Sequence, residues 1–336
     1  MEISQDINLA DYNSFSLPCR AAHFCEVSCL AELKQALDYA NELKLPALIL
    51  GGGSNILFSA PYSGLIIRVV LKGVKWLSKP GLVHVAAGEN WHEFVETTLR
   101  EGFFGLENLA LIPGTVGAAP IQNIGAYGVE LEQFVVSVSV YDPVKNEARE
   151  LLHDECEFAY RDSVFKYPEA AHLVVLGVTL QLSTESKPNL SYGALASKFA
   201  SAGDKTVSSQ AVFDAVCQIR RSKLPDPQVL GNAGSFFKNP LVSESKYQTL
   251  KQEFPELPSF DSGELGFVKI PAAWLLDQAG WRGKRRGGAG VHDKHALVLV
   301  NAGKASGEEL VLLAQDMASS VLGRFGIGLE CEVRIV

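Results

Sequence analysis

The order of apolar and polar residues predicts alternating helices and strands along most of the chain. Apolar side chains recur on one helical face at residues 28–40, 91–99 and 208–221. Short apolar runs predict strands at residues 46–50, 65–70, 82–87, 135–141 and 174–182. Polar and apolar residues alternate at 13–17, which predicts a first strand there.

The last third of the chain carries the same two patterns. Residues 272–280 predict a helix that ends at a glycine, and residues 306–325 predict a final helix. Between these helices, we expect a turn at 287–292 and a strand at 295–301.

Composition narrows the possible classes of protein. A chain of 336 residues predicts two or three domains, at about 150 residues each. Hydrophobic residues make up 47% and charged residues 20%, which is typical of a globular protein, and the net charge of −8 argues against a nucleic-acid partner. The strongest local exception is the basic cluster at residues 282–286.

The cysteines and the amino terminus predict a cytoplasmic protein. Six cysteines occur without C-x-x-C spacing, so we expect neither a zinc site nor disulfide bonds. The first six residues are polar and acidic where a secretory signal would be basic and then apolar, and no apolar run approaches membrane length. We therefore expect reduced thiols, no metal and no membrane span.

A strand predicted at 46–50 runs directly into Gly51-Gly52-Gly53-Ser54-Asn55. Successive glycines expose main-chain N–H groups that can bind a diphosphate. The segment is neither a Walker loop nor a G-x-G-x-x-G dinucleotide motif. A plain tight turn is an equally good interpretation of this segment alone.

Residues 105–130 form a long apolar tract punctuated by glycine and proline, with little periodicity. A buried loop leaves main-chain polar groups that need partners, and a bound cofactor can supply them. Because long irregular loops in compact domains are mostly functional, we favour a cofactor-lining role over a merely buried loop.

Residues 231–240 place one hydroxyl, Ser235, directly after Gly-Asn-Ala-Gly. Glycines allow close approach of a ligand, Phe236 and Phe237 can anchor a strand, and Lys238 and Asn239 offer donors to polar ligand atoms. Taken alone, the segment is better interpreted as one arm of a glycine-rich hairpin.

These motifs together resemble the UDP-N-acetylenolpyruvoylglucosamine reductases, FAD- and NADPH-dependent enzymes of peptidoglycan precursor synthesis. The resemblance runs in order from about residue 13 to residue 335. It rests on the segments at 50–55, 112–117, 122–128, 160–163 and 231–240. The sequence 191–193, Ser-Tyr-Gly, is similar to the substrate loop of the longer of the family's two classes.

The resemblance implies an α+β fold with an FAD-binding domain of the vanillyl-alcohol-oxidase (PCMH) type. This domain is expected at residues 13–184, with lobes at about 13–70 and 71–184. A connector at 185–225, an α+β substrate-binding domain at 226–322 and a C-terminal segment at 323–336 follow. FAD would be held without a covalent bond by the expected cofactor residues: Gly51, Gly52, Gly53, Ser54, Asn55, Pro113, Gly114, Gly117, Gly125 and Tyr127.

The resemblance also implies three catalytic residues: Arg161, Ser235 and Glu332. From the residues alone, Arg161 has the alternative of a structural ion pair with Asp162. The chain departs from the family pattern at Cys331, where a proline is frequent.

Four further residues match substrate-binding positions of the family: Tyr192, Lys223, Asn239 and His295. Without the resemblance, Tyr192 would be interpreted as a surface tyrosine, Lys223 as a solvated residue at a helix end, and His295 as a histidine at the edge of the core.

The implied reaction is the NADPH-dependent reduction of UDP-N-acetylglucosamine enolpyruvate to UDP-N-acetylmuramate. Arg161 would stabilise the enediolate, Ser235 would donate a proton, and Glu332, if protonated, would add a donor. Two alternatives are a flavin oxidase or dehydrogenase of the same fold that acts on another substrate, and a nucleotide-sugar-binding protein without flavin. We expect a monomer that contributes to cell-wall biogenesis, cell shape and cell division.

Overall fold

The computed structural model describes residues 1–200 and 207–336 and separates into two compact units. Unit 1 comprises Met1–Ile7, Ala21–Gly53 and Ser63–Ser222, and unit 2 comprises Asn8–Arg20, Ser54–Tyr62 and Lys223–Val336. The chain therefore crosses between the units several times. The predicted connector at 185–225 includes residues 201–206, which lie outside the described residues. The domain bounds remain a prediction.

The α-helices of the described residues are α1 (Leu30–Glu42), α2 (Trp91–Arg100), α3 (Gly193–Phe199), α4 (Ser209–Lys223), α5 (Glu244–Glu253), α6 (Ala272–Gln278) and α7 (Gly307–Phe325). The periodic segments of the sequence predict α1, α2, α4, α6 and α7, whereas α3 and α5 were not predicted. The strands are β1 (Ser4–Asn8), β2 (Arg20–Val27), β3 (Ala47–Leu50), β4 (Ile56–Leu57), β5 (Tyr62–Val69), β6 (Val74–Trp76), β7 (Leu82–Ala86), β8 (Gly125–Ala126), β9 (Val129–Glu130), β10 (Val135–Asp142), β11 (Glu147–Leu152), β12 (Val174–Gln181), β13 (Asn232–Ser235), β14 (Leu241–Ser243), β15 (Phe260–Asp261), β16 (Phe267–Lys269), β17 (Arg285–Arg286), β18 (Ala289–Val291), β19 (Val298–Asn301) and β20 (Arg334–Ile335).

Unit 1 is built on two sheets. One has the strand order β1-β2-β5-β3, in which β3 and β5 are parallel. The other is antiparallel, with the order β11-β10-β12-β7-β6, and its register places Val138 opposite Val178 and Val178 opposite Val85. These three valines are fully buried, so the register fixes the apolar face of the sheet on the core.

Local side-chain bonds start the helices of unit 1. The main-chain N–H and the hydroxyl of Ser28, just before α1, both donate to the Glu32 carboxylate in the first turn of that helix. Asn90 caps α2 by accepting the Glu93 N–H at 3.1 Å.

Unit 2 has its own core around the sheet β13-β19-β18-β17. Two smaller sheets, β14-β16-β15 and the parallel pair β20-β4, complete it. The largest helix, α7, begins with a capping box between Ser306 and Glu309, and it ends at Gly326, whose φ of 61° suits glycine. Phe236 and Phe237 are almost completely buried in this core, as expected for anchors of β13.

Two predictions of local structure are wrong. Residues 13–17 are not a strand, because the Asn13 side chain donates to the carbonyls of Leu9 and Leu17 and accepts the Leu17 N–H. This side chain closes a compact turn that competes with extended pairing, while Phe15 and Leu17 are buried. The turn expected at 287–292 occupies only residues 287–288, since the next three residues form β18 and pair with β19.

Within residues 1–200 and 207–336, no helix combines the length and the apolar character that crossing a bilayer requires. In the same residues, no group of three or more His, Cys, Asp or Glu side chains is arranged to hold a metal ion.

Candidate active site

The end of β3 packs against the loop before residue 117, within unit 1. A Cβ atom on Gly51 would lie 2.6 Å from the Thr115 Oγ1 atom, and one on Gly52 would lie 3.1 Å from the Gly114 Cα atom. Gly53 has φ 62° and Gly114 φ 120°, both in the region that favours glycine. The two loops therefore approach each other as bare main chain.

Main-chain donors at this loop fit an anionic group such as a diphosphate. Among the described residues, the N–H groups of Gly52 and Gly53 have no hydrogen-bond partner. Donors that remain available at the end of a strand form the kind of cradle that binds phosphate. The site thus fits the diphosphate of FAD.

The tract at 105–130 is anchored to unit 1 by main-chain bonds. The Val116 N–H donates to Glu89 O and the Gly117 N–H to Ala87 O, each at 2.9 Å. A Cβ atom on Gly117 would lie 2.4 Å from the Ala87 Cβ atom, so only glycine allows this approach. The tract is largely two short 3₁₀ helices, Glu107–Leu109 and Val116–Gln122, and the β8–β9 hairpin, not a structureless loop.

Tyr127 and Tyr192 lie together at one end of this tract. Their ring centroids are 5.2 Å apart in an edge-to-face arrangement. Asn108 holds both segments, since its Nδ2 group donates to Tyr127 O and Asn189 O at 2.9 Å each. The structure therefore brings a predicted cofactor residue and a predicted substrate residue of unit 1 into contact.

Arg161 is positioned by the β8 strand. Its Nη2 group donates to Gly125 O at 2.5 Å, and its Nη1 atom lies 3.8 Å from a Glu130 carboxylate oxygen. The side chain is only 17% exposed, and its guanidinium also contacts the Tyr160 ring. Asp162, the alternative partner weighed from the sequence, receives hydrogen bonds from the Tyr167 hydroxyl and the Ser163 N–H.

A second arginine, Arg220 of α4, lies near Arg161 and was not predicted as a site residue. Burial lowers the pKa of Arg220, and the nearby Tyr127 and Cys217 side chains oppose this shift. Burial raises the pKa of Tyr127, which therefore remains a neutral phenol at neutral pH. Across the described residues, no carboxylate forms an ion pair with Arg220.

In unit 2, Ser235 ends β13 beside an irregularity in the strand pairing. Asn232 shapes this strand, because its Nδ2 group donates to Pro225 O and Leu230 O and its Oδ1 atom accepts the Gly234 N–H. Gly234 has φ 71°, and Ser235 then pairs with Val298 of β19. The Ser235 hydroxyl is half-buried and makes no hydrogen bond to any described residue.

Glu332 lies on the segment that pairs with the residues after Ser235. The Glu332 N–H donates to Phe236 O at 2.8 Å, and the Lys238 N–H donates to Glu330 O at 2.9 Å. The Lys238 ammonium also binds the Glu330 carboxylate at 2.5 Å. These bonds form an antiparallel bridge between Phe237 and Cys331, so Ser235 lies two residues before one side of the bridge and Glu332 one residue after the other.

The predicted substrate residues of unit 2 have different local roles. Lys223 is exposed at the end of α4 and interacts electrostatically with His295. The Asn239 Oδ1 atom accepts the N–H of Ala272 at the start of α6. Burial lowers the pKa of His295, and its Nδ1 atom accepts the Leu297 N–H, so the neutral ring carries its proton on Nε2.

Comparison with known proteins identifies the class first. Residues 21–145 match the family model described as FAD binding domain. The crystal structure of UDP-N-acetylenolpyruvylglucosamine reductase from Thermus caldophilus has a similar fold, with a TM-score of 0.69 at 23% identity over 100% of this chain and 99% of that chain. The predicted α+β fold with an FAD-binding domain of the PCMH type is confirmed.

The family follows from the C-terminal third of the chain and from relatives that match the whole chain. Residues 226–336 match the model of the UDP-N-acetylenolpyruvoylglucosamine reductase C-terminal domain. A protein of Chromobacterium violaceum named UDP-N-acetylenolpyruvoylglucosamine reductase is 45% identical to this chain, over 100% of this chain and 99% of the relative. A protein of the same name from Paraburkholderia phymatum is 46% identical, over 97% of this chain and 96% of the relative. The chain belongs to the UDP-N-acetylenolpyruvoylglucosamine reductase family, an oxidoreductase family with FAD as cofactor.

Proposed function

We propose that this protein reduces UDP-N-acetylglucosamine enolpyruvate to UDP-N-acetylmuramate with electrons from NADPH, as a cytoplasmic monomer in peptidoglycan precursor synthesis, and so contributes to cell shape and division. Membership of the reductase family supports the reaction. The observation that carries the residue assignment is the half-buried Ser235 hydroxyl, which has no partner among the described residues and is fixed beside the Glu332 segment.

Bound FAD would supply hydride transfer between NADPH and the vinyl carbon of the substrate. The residues proposed to hold it are Gly51, Gly52, Gly53 and Ser54 of the glycine loop, Pro113, Gly114 and Gly117 of the facing loop, and Gly125 with Tyr127. The available N–H groups of Gly52 and Gly53 support a diphosphate position at the glycine loop.

Arg161 is the proposed electrostatic catalyst. The enediolate formed during reduction carries negative charge, and a guanidinium held rigidly by Gly125 O and Glu130 can stabilise that charge without reorganising. Its limited exposure strengthens the interaction, since less water screens it.

Ser235 is the proposed proton donor to the carbon next to the carboxylate. A serine hydroxyl is a weak acid, so its geometry has to be rigid, and the Asn232 bonds together with the Phe236 anchor provide that rigidity. Glu332 in its protonated form would add a second donor towards the enediolate.

We assign the nucleotide-sugar part of the substrate to Tyr192, Lys223, Asn239 and His295. Lys223 offers a cation to the diphosphate, and the neutral His295 ring offers an Nε2 donor. The Asn239 Nδ2 group is available as a donor, because it has no partner among the described residues.

An anaerobic experiment tests the proposed function. The purified yellow protein is reduced with NADPH, UDP-N-acetylglucosamine enolpyruvate is added, and flavin absorbance is followed. We expect rapid reoxidation by that compound alone. If only oxygen reoxidises the flavin, the reductase assignment fails and an oxidase of the same fold becomes the better interpretation.

A further inference from the structure

Residues 330–336, the segment that carries Glu332, have little secondary structure of their own. The only strand of this segment is β20, two residues long, which pairs with the equally short β4. A carboxylate on such a segment would be poorly placed for catalysis unless neighbouring groups held its main chain.

Asn55 holds this main chain directly. Its Nδ2 group donates to the Glu332 carbonyl at 3.1 Å, and its own carbonyl accepts the Arg334 N–H at 3.1 Å. On the other edge of the segment, the Glu332 N–H donates to Phe236 O. Both main-chain polar groups of Glu332 are thus hydrogen-bonded, one of them by the Asn55 side chain.

The same turn is also tied to the strand of Ser235. The Ser14 hydroxyl donates to Ser54 O at 3.3 Å, and Ser14 O accepts the Asn232 N–H at 2.9 Å. Asn232 begins β13, which ends at Ser235. Residues 54–55 therefore bond to the Glu332 segment directly and to the Ser235 strand through Ser14.

We propose that Asn55, expected from the sequence to bind FAD, is a positioning residue that fixes the Glu332 main chain relative to Ser235. The inference rests on the proposed function, because it assumes that both residues act in proton donation to the substrate. It separates Asn55 from the glycines that precede it: Gly52 and Gly53 present N–H groups, whereas the Asn55 amide is already engaged by the protein.

The test measures the two half-reactions of Asn55→Ala separately. Ser235 and Glu332 take no part in flavin reduction by NADPH, so that rate should stay within about twofold of wild type. Reoxidation by UDP-N-acetylglucosamine enolpyruvate should slow by about 10- to 100-fold, because small misplacements of reacting groups have effects of that order. Asn55→Asp, which has the same shape but cannot donate while ionised, should behave similarly.

Two further measurements distinguish positioning from other roles. In a Glu332→Gln background, Asn55→Ala should slow reoxidation by less than about threefold more, because the two residues act as a unit. In the apoprotein, amide hydrogen exchange of residues 330–335 should be faster in Asn55→Ala than in wild type, with FAD affinity changed by less than about threefold.

Ser59→Ala is the matched control. Its hydroxyl also donates to a main-chain oxygen of this segment, at Val336, but the Ser59 N–H keeps a second bond to the same oxygen. We expect wild-type half-reactions from this variant.

The outcomes separate the inference from the function on which it rests. Unchanged exchange of residues 330–335, or a parallel loss of FAD affinity and of both half-reactions, would overturn the positioning role alone. Wild-type protein that is not reoxidised by the substrate would overturn the proposed function, and the inference with it.

Discussion

Gly51→Ala tests why the chain has glycine at the end of β3. Its φ lies outside the left-handed region, so alanine is compatible with the backbone there. The added Cβ atom would lie 2.6 Å from Thr115 Oγ1, whereas its next neighbours, Ala118 Cβ and Thr115 Cβ, lie at 3.6 and 3.8 Å. The conflict therefore involves a single side-chain atom.

The energies can be separated with a second substitution. Overpacking typically costs about 1–3 kcal/mol, and Gly→Ala returns about 0.4–1 kcal/mol by restricting the unfolded chain. We expect Gly51→Ala to lose up to about 2.6 kcal/mol, since the β-branched Thr115 side chain has little freedom to rotate away. Thr115→Ala removes the conflicting atom, so the double variant should recover about 1–3 kcal/mol relative to the sum of the single variants.

Urea denaturation of the four apoproteins measures this coupling, and FAD titration of the same proteins measures flavin binding. The double variant should bind FAD nearly as well as wild type, because the Cβ atom added at residue 51 faces residue 115 and leaves the Gly52 and Gly53 N–H groups available. Additive losses of stability in the double variant would refute the packing explanation.

Three further predictions concern single side chains. Ser235→Ala should slow flavin reoxidation by the substrate by about 10²–10³-fold. Its substrate affinity, measured from flavin difference spectra, should stay within about threefold of wild type. A proportionate loss of substrate binding would contradict the role of proton donor. Arg220→Met removes a partly buried charge that has no ion-pair partner among the described residues. The free energy of unfolding of the apoprotein, measured by urea denaturation, should therefore rise by on the order of 1 kcal/mol, while the anionic substrate should bind more weakly. A loss of stability would contradict this. Hydrogen bonds from the Ser306 and Gly288 N–H groups lower the pKa of Glu309, so the stability that Glu309 contributes is present above the ordinary glutamate pKa and is lost as the pH falls below it. Glu309→Gln should therefore flatten the pH dependence of the free energy of unfolding between about pH 5 and 3. An unchanged slope would exclude this contribution.

Periodicity predicted α1, α2, α4, α6 and α7 because the burial of their side chains repeats with the helix geometry. Trp91, Phe94 and Val95 form the buried face of α2 as the sequence indicates. The strand predicted at 13–17 does not form, because a single polar side chain, Asn13, makes hydrogen bonds with nearby main-chain N–H and carbonyl groups. Alternation records which side chains are buried, and it cannot record which hydrogen bonds hold them there.

The candidate site is predictable only in part for the same reason. The segments around Gly51, Arg161 and Ser235 stand out through glycine content or resemblance, and their roles remain predictions. Arg220 lies in an ordinary amphipathic helix, so nothing in its pattern marks it. The bond from Asn55 to Glu332 joins residues 277 positions apart, and only the folded chain brings them together.

The pairing around Cys331 bears on the expectation, from the resemblance, that a proline is frequent at this position. Phe237 and Cys331 face each other in an antiparallel bridge whose two hydrogen bonds are made by their neighbours, from Lys238 N to Glu330 O and from Glu332 N to Phe236 O. Cys331 is therefore in a non-hydrogen-bonded pair, and its own N–H contributes nothing to the bridge. A proline at this position would also fix φ near −65°, but the N–H group that it lacks is not one of the two that form the bridge. What the bridge requires is an N–H at residue 332 and a carbonyl at residue 330, and these hold the Glu332 main chain.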